Sequence, residues 1–87
     1  MIHFTVYSRS YCHLCDDLLA ALQAMTLPAN TIAVVDVDAD ARLVAQYDEL
    51  VPVLTASTKD QPEQRLCHYF LDENAVRAFV EGACGAA

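Results

Sequence analysis

Apolar and polar residues alternate at the start of the chain and then change to a helical spacing. Ile2, Phe4 and Val6 alternate with more polar neighbours, a pattern that predicts a strand over residues 2–7. After a short turn, apolar residues recur three or four positions apart, which predicts a helix over about residues 12–25. A Leu-Pro pair then follows, and a proline pushes the residue before it out of the helical region. The start of the chain therefore predicts a strand followed by a helix.

The next stretch, residues 31–37, is almost continuously apolar. Such a run predicts a second strand, buried on both faces of a parallel sheet. Together with the first strand and helix it would form a right-handed β-α-β unit. A second helix follows, capped by Asp38 or Asp40 and ended before Pro52.

The second half of the chain predicts a pair of strands and a last helix. Residues 53–56 form a short apolar run, residues 57–64 are polar and read as a hairpin loop, and residues 65–71 predict a fourth strand. The short connection makes these two strands antiparallel. Asp72 would cap the last helix, with Gly82 and Gly85 marking its end.

Length and element order together predict the fold class. Eighty-seven residues correspond to one domain, residues 1–87. The predicted order is βαβα-ββα, an α/β fold with a four-stranded mixed sheet flanked by three helices. An apolar fraction of 55% supplies enough core material without disulfide or metal staples.

Charge narrows the classes of partner. Twelve acidic and five basic residues give a net charge of −7, which argues against nucleic acid and weakens attraction to an anionic membrane surface. No run approaches the roughly 18 apolar residues of a membrane span, and no signal-peptide pattern is present. We therefore expect a cytoplasmic protein, in which a disulfide is more often catalytic than structural.

The strongest chemical signal is Cys12-His13-Leu14-Cys15 at the entrance of the first helix. The free N–H groups and the positive end of the helix dipole favour a thiolate there, while Asp16 and Asp17 in the first turn partly oppose it. The alternative is half of a zinc site, which needs a second ligand pair. The only candidate pair, Cys67 and His68, is adjacent in a strand and points to opposite faces, so a redox dithiol is the favoured interpretation.

Three segments, in the predicted element order, resemble the glutaredoxin-like proteins of the thioredoxin superfamily. These segments are Tyr7-Ser8-Arg9-Ser10-Tyr11-Cys12-His13-Leu14-Cys15, Val51-Pro52-Val53 and Asp72-Glu73. The resemblance covers essentially the whole chain. It implies a thioredoxin-like fold and the activity of a thiol–disulfide oxidoreductase.

The resemblance also implies roles for individual residues. Cys12 would be the nucleophile and Cys15 the resolving thiol. Pro52 would be a cis-proline facing the cysteines, and the Val51 backbone would pair with a bound peptide or glutathione. Tyr11 and Pro52 would shape one wall of the site.

Further residues would contact glutathione or tune the thiol. By the same resemblance, Arg9 would meet a glutathione carboxylate and favour the thiolate, and Asp72 would hold the γ-glutamyl amine. As an imidazolium, His13 would stabilise the neighbouring thiolate. Tyr69 and Phe70 stand where glutaredoxins usually carry a glycine pair.

The expected function is the reduction of protein disulfides or glutathione mixed disulfides by a monomer. No bound cofactor or metal is expected, glutathione is a candidate co-substrate, and a thiol reductant system would restore the dithiol. Two alternatives stay open: a non-catalytic module that binds a peptide along the Pro52 loop, and a metal- or iron–sulfur-binding domain that uses Cys12. Cys67 is expected to be a small buried apolar residue, and Cys84 a spare thiol.

Overall fold

The computed structural model of the protein describes residues 1–84 and has the predicted order of helices and strands. These are β1 (Ile2–Ser8), α1 (His13–Ala24), β2 (Asn30–Asp36), a 3-10 turn (Val37–Ala39), α2 (Ala41–Tyr47), β3 (Val53–Ser57), β4 (Gln64–His68) and α3 (Glu73–Cys84). The predicted βαβα-ββα order is confirmed. No helix within the described residues is long and apolar enough to span a bilayer.

The four strands form one mixed sheet in the order β2-β1-β3-β4. β1 and β2 are parallel, with α1 as the crossover, while β3 is antiparallel to both β1 and β4. Tyr7 pairs with Val53, and Val53 pairs with His68. The carboxyl end of β1, the amino end of β3 and the carboxyl end of β4 therefore meet at one edge of the sheet. We call this the β1 carboxyl edge.

The main hydrophobic core lies between the sheet and the two long helices. Alternate residues of β1 and β3 face α1 and α3, as the period of two in a strand requires. Its fully buried members include Phe4, Val6, Leu18, Leu22, Leu54 and Val76. Burying each such side chain contributes about 1.5–3 kcal/mol. A smaller core of Val37, Tyr47 and Val53 lies on the other face, under the short helix α2.

β2 is an edge strand, so the prediction that it is buried on both faces is wrong. It pairs with β1 alone, and Val34 in its middle is 55% exposed. Ile32 packs against the main core, but Thr31 and Ala33 are exposed on the opposite face. The apolar run reflects the β-branched residues that strands favour, and it does not report how many neighbours cover the strand.

β4 is shorter than predicted because the backbone turns at its end. The strand stops at His68 rather than Leu71, and Tyr69 follows with a φ of 65°. This left-handed conformation is incompatible with a continuing strand and is uncommon for a residue with a side chain. It turns the chain toward the start of α3.

The last two helices begin at aspartate caps, as the sequence predicts. The Asp40 side chain accepts a hydrogen bond from the Arg42 N–H at 2.8 Å, and the Asp72 side chain accepts one from the Ala75 N–H at 3.1 Å. Each cap satisfies an N–H group left free in the first turn. The predicted role of Gly85, like the side chain of Cys84, lies outside what the structure describes.

Candidate dithiol site

Cys12 and Cys15 form a disulfide at the start of α1, with 5.2 Å between their Cα atoms. Cys12 is the N-cap residue of the helix, and its Sγ accepts a hydrogen bond from the Cys15 N–H at 3.1 Å. The sulfur thus occupies the place that an oxygen takes in an ordinary N-cap. After reduction, a Cys12 thiolate would accept the same hydrogen bond and lie at the positive end of the helix dipole. Both effects favour the thiolate form of Cys12 after reduction.

The two sulfur-bearing residues differ in their access to solvent. Cys15 is 5% exposed and packs one turn into the helix, whereas Cys12 is partly exposed. A disulfide arriving from solution therefore reaches Cys12 before Cys15. This difference favours Cys12 as the attacking thiol and Cys15 as the residue that acts after it.

The residues on either side of Cys12 present their side chains to solvent. Tyr11 has a φ of 60° and a fully exposed ring, so the chain turns sharply between β1 and the N-cap. His13, the first residue of α1, is also exposed. Both side chains are therefore available to a bound partner.

A cis-proline loop lies at the same edge of the sheet as the dithiol. The Val51–Pro52 peptide bond is cis, the isomer that the resemblance implied, and Pro52 is buried. Because Tyr7 pairs with Val53, Pro52 lies beside the end of β1, from which the chain leads directly to Cys12. Within residues 1–84, the N–H and C=O of Val51 make no hydrogen bond.

Tyr69 holds this proline loop at two points. Its N–H donates to the Pro52 carbonyl at 2.9 Å, and its hydroxyl donates to the Glu49 carbonyl. Neither contact was evident from the sequence, since Tyr69 was noted only for replacing a glycine. The hydrogen bonds couple the end of β4 to the proline loop.

Arg9 binds two carboxylates that the sequence did not pair with it. Its Nε and Nη2 donate to the Asp38 carboxylate at 3.2 and 2.8 Å, and its Nη1 donates to Asp48. The hydrogen bond to Asp38, followed by the charge of that carboxylate, raises the pKa of Arg9. The two carboxylates offset the positive charge that Arg9 would otherwise supply to the dithiol. The pairing of Ser8 with Asp36 could have indicated Asp38, because residues following two neighbouring parallel strands meet at one edge.

Asp72 and Phe70 lie in the segment that joins β4 to α3. Asp72 is exposed, and its carboxylate caps α3 through Ala75. Phe70 is 69% exposed, an unusual environment for a large aromatic side chain. The segment thus brings a carboxylate and an exposed ring to the β1 carboxyl edge.

The other cysteine with a described side chain has a structural environment. Cys67 packs against the main core, forms no disulfide, and burial raises the pKa of its thiol. Among residues 1–84, no group of three or more His, Cys, Asp or Glu side chains is placed to hold a metal ion.

The sheet order, the helix-capping cysteine pair and the cis-proline loop define a thioredoxin-fold protein with a Cys-x-x-Cys site. Comparison with protein families matches residues 3–81 to the glutaredoxin-like domain family (DUF836). The match covers most of the chain, so the protein belongs to this glutaredoxin-like family. The fold and the cysteine pair at disulfide distance support a redox function.

Similar solved structures include two proteins at 30% identity or more and a thioredoxin at lower identity. Protein Ne2328 from Nitrosomonas europaea is 32% identical over 91% of both chains, with a TM-score of 0.73. Protein XcR50 from X. campestris is 30% identical over 91% of this chain and 96% of its own, with a TM-score of 0.60. Fasciola hepatica thioredoxin, 18% identical over 93% of this chain and 79% of its own, has a TM-score of 0.65 and shows the shared fold. No curated protein sequence matches the chain.

Proposed function

We propose that the protein is a cytoplasmic thiol–disulfide oxidoreductase that reduces protein disulfides or glutathione mixed disulfides with its Cys12–Cys15 dithiol. The observation that carries the proposal is the position of the Cys12 sulfur. It is partly exposed, caps a helix and accepts the Cys15 N–H at 3.1 Å, while Cys15 is buried beside it. A thiolate is the attacking species in thiol–disulfide exchange, and this position stabilises a thiolate.

The reaction proceeds by two exchanges of sulfur bonds. The Cys12 thiolate attacks one sulfur of the substrate disulfide, the substrate S–S bond breaks, and its other sulfur leaves as a thiolate that takes up a proton. The Cys15 thiol then loses its proton and attacks the Cys12 sulfur of the mixed disulfide. The Cys12–Cys15 disulfide forms and the second substrate thiolate leaves. Two electrons pass from the dithiol to the substrate, and an external thiol reductant restores the dithiol.

The proline loop gives the substrate a place to bind. The Val51 N–H and C=O are free within residues 1–84 and lie at the edge where the dithiol is exposed. An extended substrate backbone on either side of its cysteine can pair with such groups as an added strand does. Glutathione, as a co-substrate, has peptide groups that can use the same loop.

The roles of the two cysteines are tested with matched serine variants. Reduced protein is mixed with an excess of a peptide disulfide, and products are identified by acid quenching and intact mass. We expect Cys12→Ser to abolish reduction and Cys15→Ser to accumulate one peptide adduct on Cys12. Cys67→Ser is the control and keeps the wild-type rate, because Cys67 packs against the core and forms no disulfide.

Two results would contradict the proposal. One is a Cys12→Ser protein that still reduces the peptide. The other is a wild-type dithiol that reacts with no disulfide, which would leave a non-catalytic thioredoxin-fold binding module as the better interpretation.

A further inference from the structure

An open groove runs between α1 and the segment 69–73 that leads into α3. Apolar residues from α1 and from the segment 69–73 line the groove. Its two charged lining residues are acidic: Asp17 on α1 and Glu73 at the start of α3. The apolar residues that line it are Leu18, Ala21, Tyr69, Phe70 and Leu71. We call this feature the α1–α3 groove.

The groove adjoins the dithiol. Leu18 follows Cys15 by three residues, which is less than one helical turn, and so continues the same side of α1. On the other side, the Tyr69 N–H binds the carbonyl of the cis-proline Pro52 at 2.9 Å. A substrate whose disulfide reaches Cys12 would therefore extend its neighbouring residues over the groove.

The two charged residues that line the groove are both acidic, and one of them has no ion-pair partner within the described residues. Asp17 takes part in no ion pair within the described residues, and Glu73 has only an exposed contact with Arg77 at 3.3 Å. Arg77 offsets part of the Glu73 charge, as the carboxylates do for Arg9, so Asp17 supplies the unpaired charge of the groove. Arg9, on the β1 side of the dithiol, is already bound by carboxylates. The potential at the mouth of the groove therefore repels anions and attracts cations.

Apolar surface and negative charge together select a type of substrate. The exposed ring of Phe70 can pack against an apolar side chain of a partner, and Asp17 and Glu73 can bind a cationic group. Glutathione carries more carboxylate than ammonium groups, so its net negative charge is repelled by the acidic residues of the groove. A protein segment that has an aliphatic or aromatic residue beside Lys or Arg satisfies both requirements.

We propose that the α1–α3 groove binds such a cationic, partly apolar segment next to the disulfide of a protein substrate. This selects protein disulfides of basic character over glutathione disulfide. The inference rests on the proposed thiol–disulfide exchange and adds the class of substrate.

The test compares three disulfides against the reduced wild-type protein. Two are short peptides that contain the same disulfide and the same flanking leucine, one with lysines and the other with glutamates beside it. The third is glutathione disulfide. Second-order rate constants are measured at low ionic strength by acid quenching and chromatography. We expect the lysine peptide to react about 5-fold faster than the glutamate peptide, since each exposed ion pair is worth about 2- to 3-fold. The preference should shrink as salt screens it.

Variants locate the preference in the groove. Asp17→Asn combined with Glu73→Gln should reduce the preference to below about 2-fold. The control variant combines Asp60→Asn, in the loop between β3 and β4, with Glu81→Gln, in the later turns of α3. It removes the same amount of charge and should keep the preference for the lysine peptide. Phe70→Ala should slow both peptides about 3-fold or more, while Val34→Ala, which also trims an exposed apolar residue, should not.

The possible failures are separate. A wild-type protein that reduces none of the three disulfides refutes the proposed function. A protein that reduces the two peptides at equal rates, or reduces glutathione disulfide fastest, keeps the function and refutes the groove. A control pair that loses the preference as fully as the groove pair also refutes it, because the effect would then come from net charge alone.

Discussion

Glu63 is the residue whose removal should most clearly weaken the face of the sheet under α2. It lies just before β4, and its Oε2 accepts hydrogen bonds from the Thr55 hydroxyl at 2.6 Å and the Tyr7 hydroxyl at 2.9 Å. Thr55 is 2% exposed, and Tyr7 stacks on Tyr47 with 4.6 Å between ring centroids. One carboxylate therefore joins β1 and β3 through their side chains.

The cost of Glu63→Ala follows from what it leaves behind. Glu63 is an exposed side chain, so its removal lets water reach the Thr55 hydroxyl, and loss of this hydrogen bond costs about 1 kcal/mol. Loss of the Tyr7 hydrogen bond adds about 1 kcal/mol, since that contact is nearer to solvent. We expect the free energy of unfolding to fall by about 1–2 kcal/mol.

The same variant should change the titration of Tyr7. Burial, then the hydrogen bond to Glu63 and the charge of Glu63, raises the pKa of Tyr7 from 10.0 to about 12. The folded state thus favours the neutral phenol, and its stabilising effect is complete below pH 10.0 and lost as the pH rises through about 12. The effect is worth about 1 kcal/mol, because the ring is partly exposed and solvent screens the interaction. Glu63→Ala should lower the pKa of Tyr7 part of the way, with burial keeping the remainder.

The assay is urea unfolding of the oxidised protein near neutral pH, for the wild type, Glu63→Ala, Thr55→Val and the double variant. The coupling energy between Glu63 and Thr55 should be about 1 kcal/mol or more. Tyrosinate absorbance, with Tyr7→Phe as the reference, follows the titration. A loss below about 0.5 kcal/mol for Glu63→Ala, the size of an ordinary surface substitution, would refute the reasoning. So would a Tyr7 titration that Glu63→Ala leaves unchanged.

Two further predictions concern a thiol and a pair of valines. In the reduced protein near neutral pH, Cys67 should be alkylated at least about 10-fold more slowly than Cys12, because burial raises the pKa of the Cys67 thiol and a low thiolate content slows the reaction. Peptide mapping after timed alkylation measures the two rates. Equal rates would contradict the prediction. Val6 and Val34 pair across β1 and β2 but are 1% and 55% exposed. Val→Thr should cost about 1–3 kcal/mol at Val6 and under about 0.5 kcal/mol at Val34 in urea unfolding. Similar costs at both positions would mean that β2 is covered.

The sequence predicted those parts of the fold that depend on local pattern. Alternation identified β1, helical spacing identified α1, and the aspartate caps identified the starts of α2 and α3. The Cys12–Cys15 pair could be placed at a helix entrance because its setting is local as well. The cis state of Pro52 came only from the resemblance, since an X–Pro bond is cis in about 5–6% of folded cases.

Features that depend on tertiary neighbours were not predicted. The apolar run of β2 was interpreted as doubly buried, but burial depends on the number of strands and helices that cover it, which composition does not encode. The resemblance gives Arg9 a role at the thiolate and at glutathione. Its ion pairs with Asp38 and Asp48 were not predicted, because those residues lie 29 and 39 positions further along the chain. The end of β4 was placed too late because Tyr69 is a common strand residue, and its left-handed backbone has no local signal.

The Cys12–Cys15 bond spans only three positions within the first turn of one helix. A crosslink stabilises a fold by restricting the unfolded chain, and the restriction grows with the number of residues that it encloses. So short a ring encloses almost none of the chain, and both strands of the central pair lie outside it. The bond therefore contributes little to stability through restriction of the unfolded chain. A disulfide in so short a ring can therefore open without releasing either of the two strands at the centre of the sheet.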